Sequence, residues 1–315
     1  MFVNSWHFGC TLNRRTAIVL GVVLGCASVL VAQRYGGRGR GGGWGWGGGE
    51  GIPENSPIRT AREAQRHSNA DFPSWTNAPG FEKDVWTFAR IRYKRGWNSY
   101  SRGNCFTDCP DSDLNFSFRL HQMTSLQVDP DGRIINLTDP DLSEFPWIYM
   151  VEPGGLRLEE NEVVALRKHL LNGGFLMADD FWGSYQWQNF EDEMRKVFPD
   201  KKFVELPMDH PIFNCVFDLS KKQKNELQTP NYRTGEMSQY PPHITWEVHQ
   251  GEECIDVHIR ALFDDKGRMM VIACHNTDDG DGWEREQEYQ YFFREFSEKR
   301  AYPLGINIIF YAMTH

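Results

Sequence analysis

PWIYMVEPGGLRLEENEVVALRKHLLNGGFLMADDF, residues 146–181, carries the reading of the fold. Its first residues are apolar until Glu152 and stop at Pro153-Gly154-Gly155, which is the length and ending of a buried strand. The following stretch has acidic residues early, basic residues late and Gly173-Gly174 as a stop, so it predicts a helix whose dipole is complemented at both ends. Val163, Leu166 and Leu170 form its apolar stripe. FLMADDF (175–181) is a second buried strand. Two such strands joined by a crossover helix lie parallel, in a sheet with helices on its faces.

The same alternation extends outward. VWTFARIRY (85–93) reads as a first strand, IINL (134–137) as a short one, and SDLNFSFRLHQMTS (112–125) as a helix capped by Ser112, with Leu114, Phe118 and His121 on one face. WQNFEDEMRKVFP (187–199) is a helix ended by Pro199. VHIRALFD (257–264), the turn DKG (265–267) and MMVIACH (269–275) predict a hairpin. A helix over 284–299 places Tyr289, Phe292, Phe293 and Phe296 on one face, and an apolar helix over 303–313 is buried. One α/β domain over 81–315 is expected.

The 80 residues before it are of another kind. Residues 16–32 are uncharged, mostly apolar and preceded by Arg14-Arg15, the pattern of an export signal or, uncleaved, of a short membrane anchor; residues 1–33 are assigned to it. RYGGRGRGGGWGWGGGEG (34–51) has 11 glycines in 18 residues and reads as a flexible tether, continued to residue 80 by a Pro-, Asn- and Ser-rich stretch. The segment 34–80 is therefore expected to be a disordered linker, with order beginning near Phe81. The chain has 315 residues and a net charge of −9, but residues 1–49 contain five arginines and no Lys, Asp or Glu. The remainder has 29 basic against 43 acidic residues, a net of −14. So acidic a domain is a poor general partner for nucleic acid or anionic lipid, and only the N-terminal segment addresses a membrane. Beyond it lie five cysteines, of which Cys105 and Cys109 could bridge in an oxidising compartment.

Chemistry is expected outside the carboxyl ends of the strands. Three strands end there in polar groups: Glu152, Asp179-Asp180, and His275-Asn276. Asp179 or Asp180 could be a metal ligand or general base; the plainer alternative is that these carboxylates cap the next helix or pair with Arg90, Arg92 or Arg119. HNTDDGDGWERE (275–286) gathers Asp278, Asp279, Asp281 and Glu284 around two glycines, a density suited to a hard divalent cation, although its spacing is not that of a calcium loop and an acidic first helical turn would look similar. His210 lies in the loop-like DHPIF (209–213). Trp182, Trp187 and Trp283 could line a sugar or peptide site, or belong to the core. The sequence has no G-x-S-x-G, P-loop, G-x-G-x-x-G or H-E-x-x-H motif, and Cys274 sits inside an apolar run.

SDLNFSFRLHQMTS, YMVEPGGLRL, LLNGGFLMADDFWG, ELPMDHPIF, CHNTDDGDGWERE and FSEKRAYPLGINIIFYAMTH together resemble the bacterial domain-of-unknown-function family 4159, over roughly residues 84–315. The resemblance implies a flavodoxin-like, class I glutamine amidotransferase-like three-layer sandwich with a mostly parallel sheet. It also implies an exported or membrane-tethered protein. It carries over no activity, and no cysteine maps onto the nucleophile elbow of an amidotransferase. Two functional expectations follow. One is a non-catalytic envelope module that binds an envelope protein or glycan through an acidic rim, with Glu152, Trp182, Asn276 and Trp283 as contacts. The other is a hydrolase of glycan or peptide using Asp179, Asp180, His210 and His275 with a divalent cation.

Overall fold

The computed structural model describes residues 52–315, except 53–54, 66–70, 81–83, 97–103 and 287. These residues fall in one of the two units into which the chain divides, Gly45–His315. The export and glycine-tether readings, up to residue 51, lie outside them. Among the described residues no helix is long and apolar enough to cross a membrane.

The sheet contains β1 (Ala89–Arg92), β3 (Arg133–Asn136), β4 (Trp147–Val151), β6 (Phe175–Phe181), β7 (Val204–Glu205), β8 (His258–Phe263) and β9 (Met269–His275). Their order is β3-β1-β4-β6-β9-β8-β7. The first five run parallel, and β8 and β7 close one edge in antiparallel fashion. Numbered by appearance, the parallel strands run 2-1-3-4-5, the flavodoxin-like order. The predicted hairpin is β8–β9. A separate antiparallel ribbon pairs β2 (Lys94–Arg95) with β5 (Leu156–Arg157).

Alternation along the strands builds two cores. Ile148, Met150, Leu176 and Ala178 face α3 (Glu160–Leu171) and α4 (Gly183–Val197), through Val163, Leu166, Leu170, Phe190 and Met194. Trp147, Tyr149, Val151 and Met177 face α2 (Asp111–Met123) and the C-terminal helix, through Phe116, Leu120, Leu304 and Ile308. Three layers result, and strands covered on both faces explain the uninterrupted apolar runs. α3 starts with the Glu159 backbone N–H donating to Glu162 Oε2 at 2.8 Å. It stops where a Cβ on Gly174 would overlap the His169 ring.

Several elements differ from the expectation. β1 spans four residues because β3 pairs with it only over 89–92. Ser112 is not the cap of α2 but lies in its first turn, and the buried face runs through Leu114, Phe116 and Leu120 instead of Phe118 and His121. α4 begins at Gly183, four residues early. After α5 (Tyr232–Met237), the helix expected over 284–299 is replaced by α6 (Asp279–Glu284), a short α7 (Gln290–Phe292), and a π-helical stretch Phe293–Ala301 that runs into α8 (Tyr302–Thr314).

Described residues within the expected linker pack into the fold. α1 (Ala61–Ala64) is capped by Thr60, and Ile58, Ala61, Ala64 and Phe72 are buried. β3 is an edge strand, and its Ile134 N–H donates to the Arg59 carbonyl at 2.8 Å. The segment thus covers an edge that would otherwise present unpaired backbone groups.

Candidate functional site

The order of the parallel strands reverses between β1 and β4, and in such sheets the crevice at the carboxyl ends is where ligands bind. Here the chain places carboxylates from four connections at that edge: Asp108 after β1, Glu152 after β4, Asp179-Asp180 closing β6, and Asp278, Asp279, Asp281 and Glu284 after β9. Excepting Glu152, none is more than 7% exposed.

Local backbone geometry directs them. Asp108, Glu152, Asp180 and Asn276 all adopt positive φ, between 48° and 61°, a region non-glycine residues enter at a cost of order 1–3 kcal/mol unless the surroundings enforce it. In β6, regular alternation keeps Asp179 on the Tyr149 face, where its Oδ2 accepts from the Tyr149 hydroxyl at 3.1 Å and the Gly280 N–H at 3.0 Å. The register with β9 then shifts between Ala178 and Phe181. This irregularity re-aims Asp180 over the strand ends, where its Oδ1 accepts from Trp182 Nε1 at 2.8 Å. Asp108 is placed by Arg90, a fully buried residue of β1 that grips Asp113, Ser112 and the carbonyls of Cys105 and Thr107. α6 brings the last group in: Asp278 caps it by accepting from the Asp281 N–H at 2.7 Å, and Asp281 accepts from the Tyr232 N–H at 2.6 Å. Gly280 permits the close approach, since a Cβ there would overlap Asp108 Oδ2.

Three sets of potential ligand atoms lie within 4.8 Å of one another: Asp108, Asp180 and Asp278; Asp108, Asp281 and Glu284; and Asp179, Cys274 and Asp279. Asp108 Oδ2, Asp179 Oδ1 and both oxygens of Asp279 are buried without a hydrogen-bond partner. Arg285 contacts the cluster, 2.7 Å from Glu284 and 3.9 Å from Asp281. Burial pushes every one of these carboxyls above the usual carboxylate range. Asp179 and Glu152 are pushed up to about 7, and for Asp108, Asp180 and Asp278 neighbouring carboxylates add to the rise. Two like charges 4.8 Å apart repel by about 3–4 kcal/mol at an effective dielectric of about 20. Ionised together, these groups need cations. For the two sets that contain Asp108, that chemistry is an all-oxygen coordination sphere for a hard divalent ion.

The two expected histidines have partners of their own. None of the three ligand sets contains a histidine. His210 accepts from the Ile212 N–H and packs on Tyr311. His275 sits with Nε2 3.0 Å from the Gly183 carbonyl and Nδ1 3.2 Å from Arg260, and burial depresses its pKa to about 3. The expected contact residues likewise have protein partners. Trp283 is fully buried against Phe116, 4.5 Å between rings. Asn276 ties the Gly183 N–H to the carbonyls of Glu253 and Asp256. Trp182 holds Asp180 in place and is buried, and Glu152 accepts from Thr107 Oγ1 at 2.7 Å. Residues 278–284 do form an acidic first helical turn, capped by Asp278, whereas Arg90, Arg92 and Arg119 bond Asp113, the Ile58 carbonyl and Glu286 instead of the strand-end groups. Cys109 is a free thiol, so a Cys105–Cys109 bridge is not formed.

The residue that sequence reading missed is Asp108, shared by two of the sets. Its signal was an aspartate in FTDCPDSD (106–113), after a strand and just before a helix.

A family model described as domain of unknown function (DUF4159) matches residues 87–313. The chain belongs to the DUF4159 family. No curated protein matches it. The match spans β1 through α8 and so includes every DUF4159 carboxylate named above, while α1 and the segment covering β3 precede it.

Proposed function

We propose that this DUF4159 chain is an exported, non-catalytic binding module of the cell envelope, organised by a divalent cation in its strand-end carboxylate cluster. The cation supports the loops after β1, β6 and β9 and thereby the surface that meets an envelope protein or glycan. The observation that carries the reading is Asp108 Oδ2, buried among these carboxylates without a hydrogen-bond partner. Buried polar groups normally find partners, and a hard cation is the partner these groups suit.

Closure supports binding over hydrolysis. With the ligand set at most 7% exposed, a glycosidic or peptide bond has no approach to a cation held there. The segment from Gln228 to Asp256 covers this edge, tied down by bonds from Gln228 to the Asn276 carbonyl and from the Asp278 N–H to the Thr229 carbonyl. Its outer side exposes Met237, Tyr240 and Val248, apolar surface of the kind a partner covers. Export rests on the Arg14-Arg15 and 16–32 pattern.

Metal analysis and thermal melts of the purified chain at pH 7.5 test the reading. We expect a bound divalent cation, and a melting temperature that falls on EDTA treatment and returns with Ca2+. A ligand at 100 times its Kd stabilises by about 2.7 kcal/mol. Asp180→Asn should abolish the response. An unchanged melt in EDTA, with no metal found, would sink the proposal.

A further inference from the structure

We infer that the cluster holds two divalent cations bridged by the Asp108 carboxylate. This deepens the cation reading above and rests on it. Asp108 offers a ligand atom to two different sets, one completed by Asp180 and Asp278 and the other by Asp281 and Glu284. Within each set the ligand atoms lie no more than 4.8 Å apart. Opposed oxygens around a cation at about 2.3–2.6 Å stand roughly that far from each other, so each set has the span of one coordination sphere. A carboxylate whose two oxygens serve two ions holds them about 3.5–4 Å apart, the usual separation in two-metal sites.

Asp108 is suited to bridge. It is 2% exposed, and its Oδ2 has no hydrogen-bond partner. The close approach of Gly280 to that oxygen walls it from solvent.

The charge balance fits two ions. The two sets comprise five carboxylates, and Arg285 contacts Glu284 and Asp281. Two divalent ions with Arg285 neutralise the five negative charges. With one ion, two of the five carboxyls would stay protonated, their ligand oxygens unused. The third set stands apart. Asp179 Oδ2 already accepts two hydrogen bonds, and burial keeps Cys274 a protonated thiol, a poor ligand for a hard cation.

Mn2+ titration of the EDTA-stripped full chain, followed by electron paramagnetic resonance, tests this. Two Mn2+ per chain with a spin-coupled spectrum are expected. Glu284→Gln should leave the Asp180 set occupied, giving one Mn2+ with the six-line spectrum of an isolated ion. Circular dichroism confirms that the variant is folded, and the wild-type spectrum decides the matter if it is not. Two uncoupled ions overturn the bridge. One ion in the wild type overturns the two-ion inference while leaving the cation reading standing. No bound Mn2+ overturns both.

Discussion

Replacing Arg90 with alanine is expected to lower unfolding stability by about 3–5 kcal/mol, the usual cost of removing one partner of a buried ion pair. For a domain of this size that amounts to a fall in melting temperature of roughly 10 °C. Arg90 is fully buried in β1, and Asp113, its partner in α2, is 1% exposed. Its Nε lies 2.9 and 3.1 Å from the two Asp113 oxygens, and its other nitrogens reach Ser112 Oγ at 2.9 Å and the carbonyls of Thr107 and Cys105 at 3.0 and 3.2 Å. Truncation therefore strands a carboxylate in the core and releases the loop that aims Asp108. Cation affinity should fall with stability. Arg90→Lys keeps the charge but cannot make the forked contact, so its loss should be intermediate. A melt of Arg90→Ala within 2 °C of the parent protein, a margin set against roughly 2–4 °C per kcal/mol, would contradict this assignment.

The second large effect is acid destabilisation through buried histidines. Burial, together with neighbouring Arg268, depresses His169 from 6.5 to about 4, and burial depresses His275 from 6.5 to about 3. Each is neutral when folded and takes up a proton more readily when unfolded. Their contribution is complete above about pH 6.5 and is lost as pH falls toward 4 for His169 and 3 for His275. At 1.36 kcal/mol per unit, the His169 shift corresponds to about 3 kcal/mol. The raised carboxyls act in the opposite sense, since they gain protons in the folded state on acidification. Comparison with His169→Gln in saturating Ca2+ isolates the histidine. Urea unfolding from pH 7 to 4 should show the parent losing about 3 kcal/mol more than the variant. Parallel pH profiles would remove His169 from the account.

Much of the fold was legible in the sequence because the central strands are covered on both faces. WIYMV, FLMADDF and MMVIACH are apolar runs that a parallel sheet requires, and the acidic start, basic end and glycine stop of α3 are local signals. The short helix α6 was not. DDGDGW combines poor helix formers, and its turn is held by the Asp278 cap and by long-range bonds from Tyr232 and Thr229. The packing of Ile58 and α1 also escaped composition, since it depends on an edge strand far along the chain offering backbone partners.

The site divides along the same line. Strand-end carboxylates were visible as candidates because topology alone puts strand ends together. Asp108 was not, because its placement depends on Arg90 reaching the preceding carbonyls of its loop. The roles of Trp283 and Asn276 were not legible for a related reason: next to a strand end, an aromatic or amide side chain reads alike whether it meets ligand or core. Both are fully buried.

The central claim is that buried carboxylates from β6, from the loop after β1 and from the region after β9 surround divalent cations. Anomalous diffraction from crystals of the chain soaked in Mn2+ tests it most directly. The account predicts a peak between Asp108, Asp180 and Asp278, with a second between Asp108, Asp281 and Glu284. A map without anomalous density at either set, from crystals in which those carboxylates are well ordered, would contradict it.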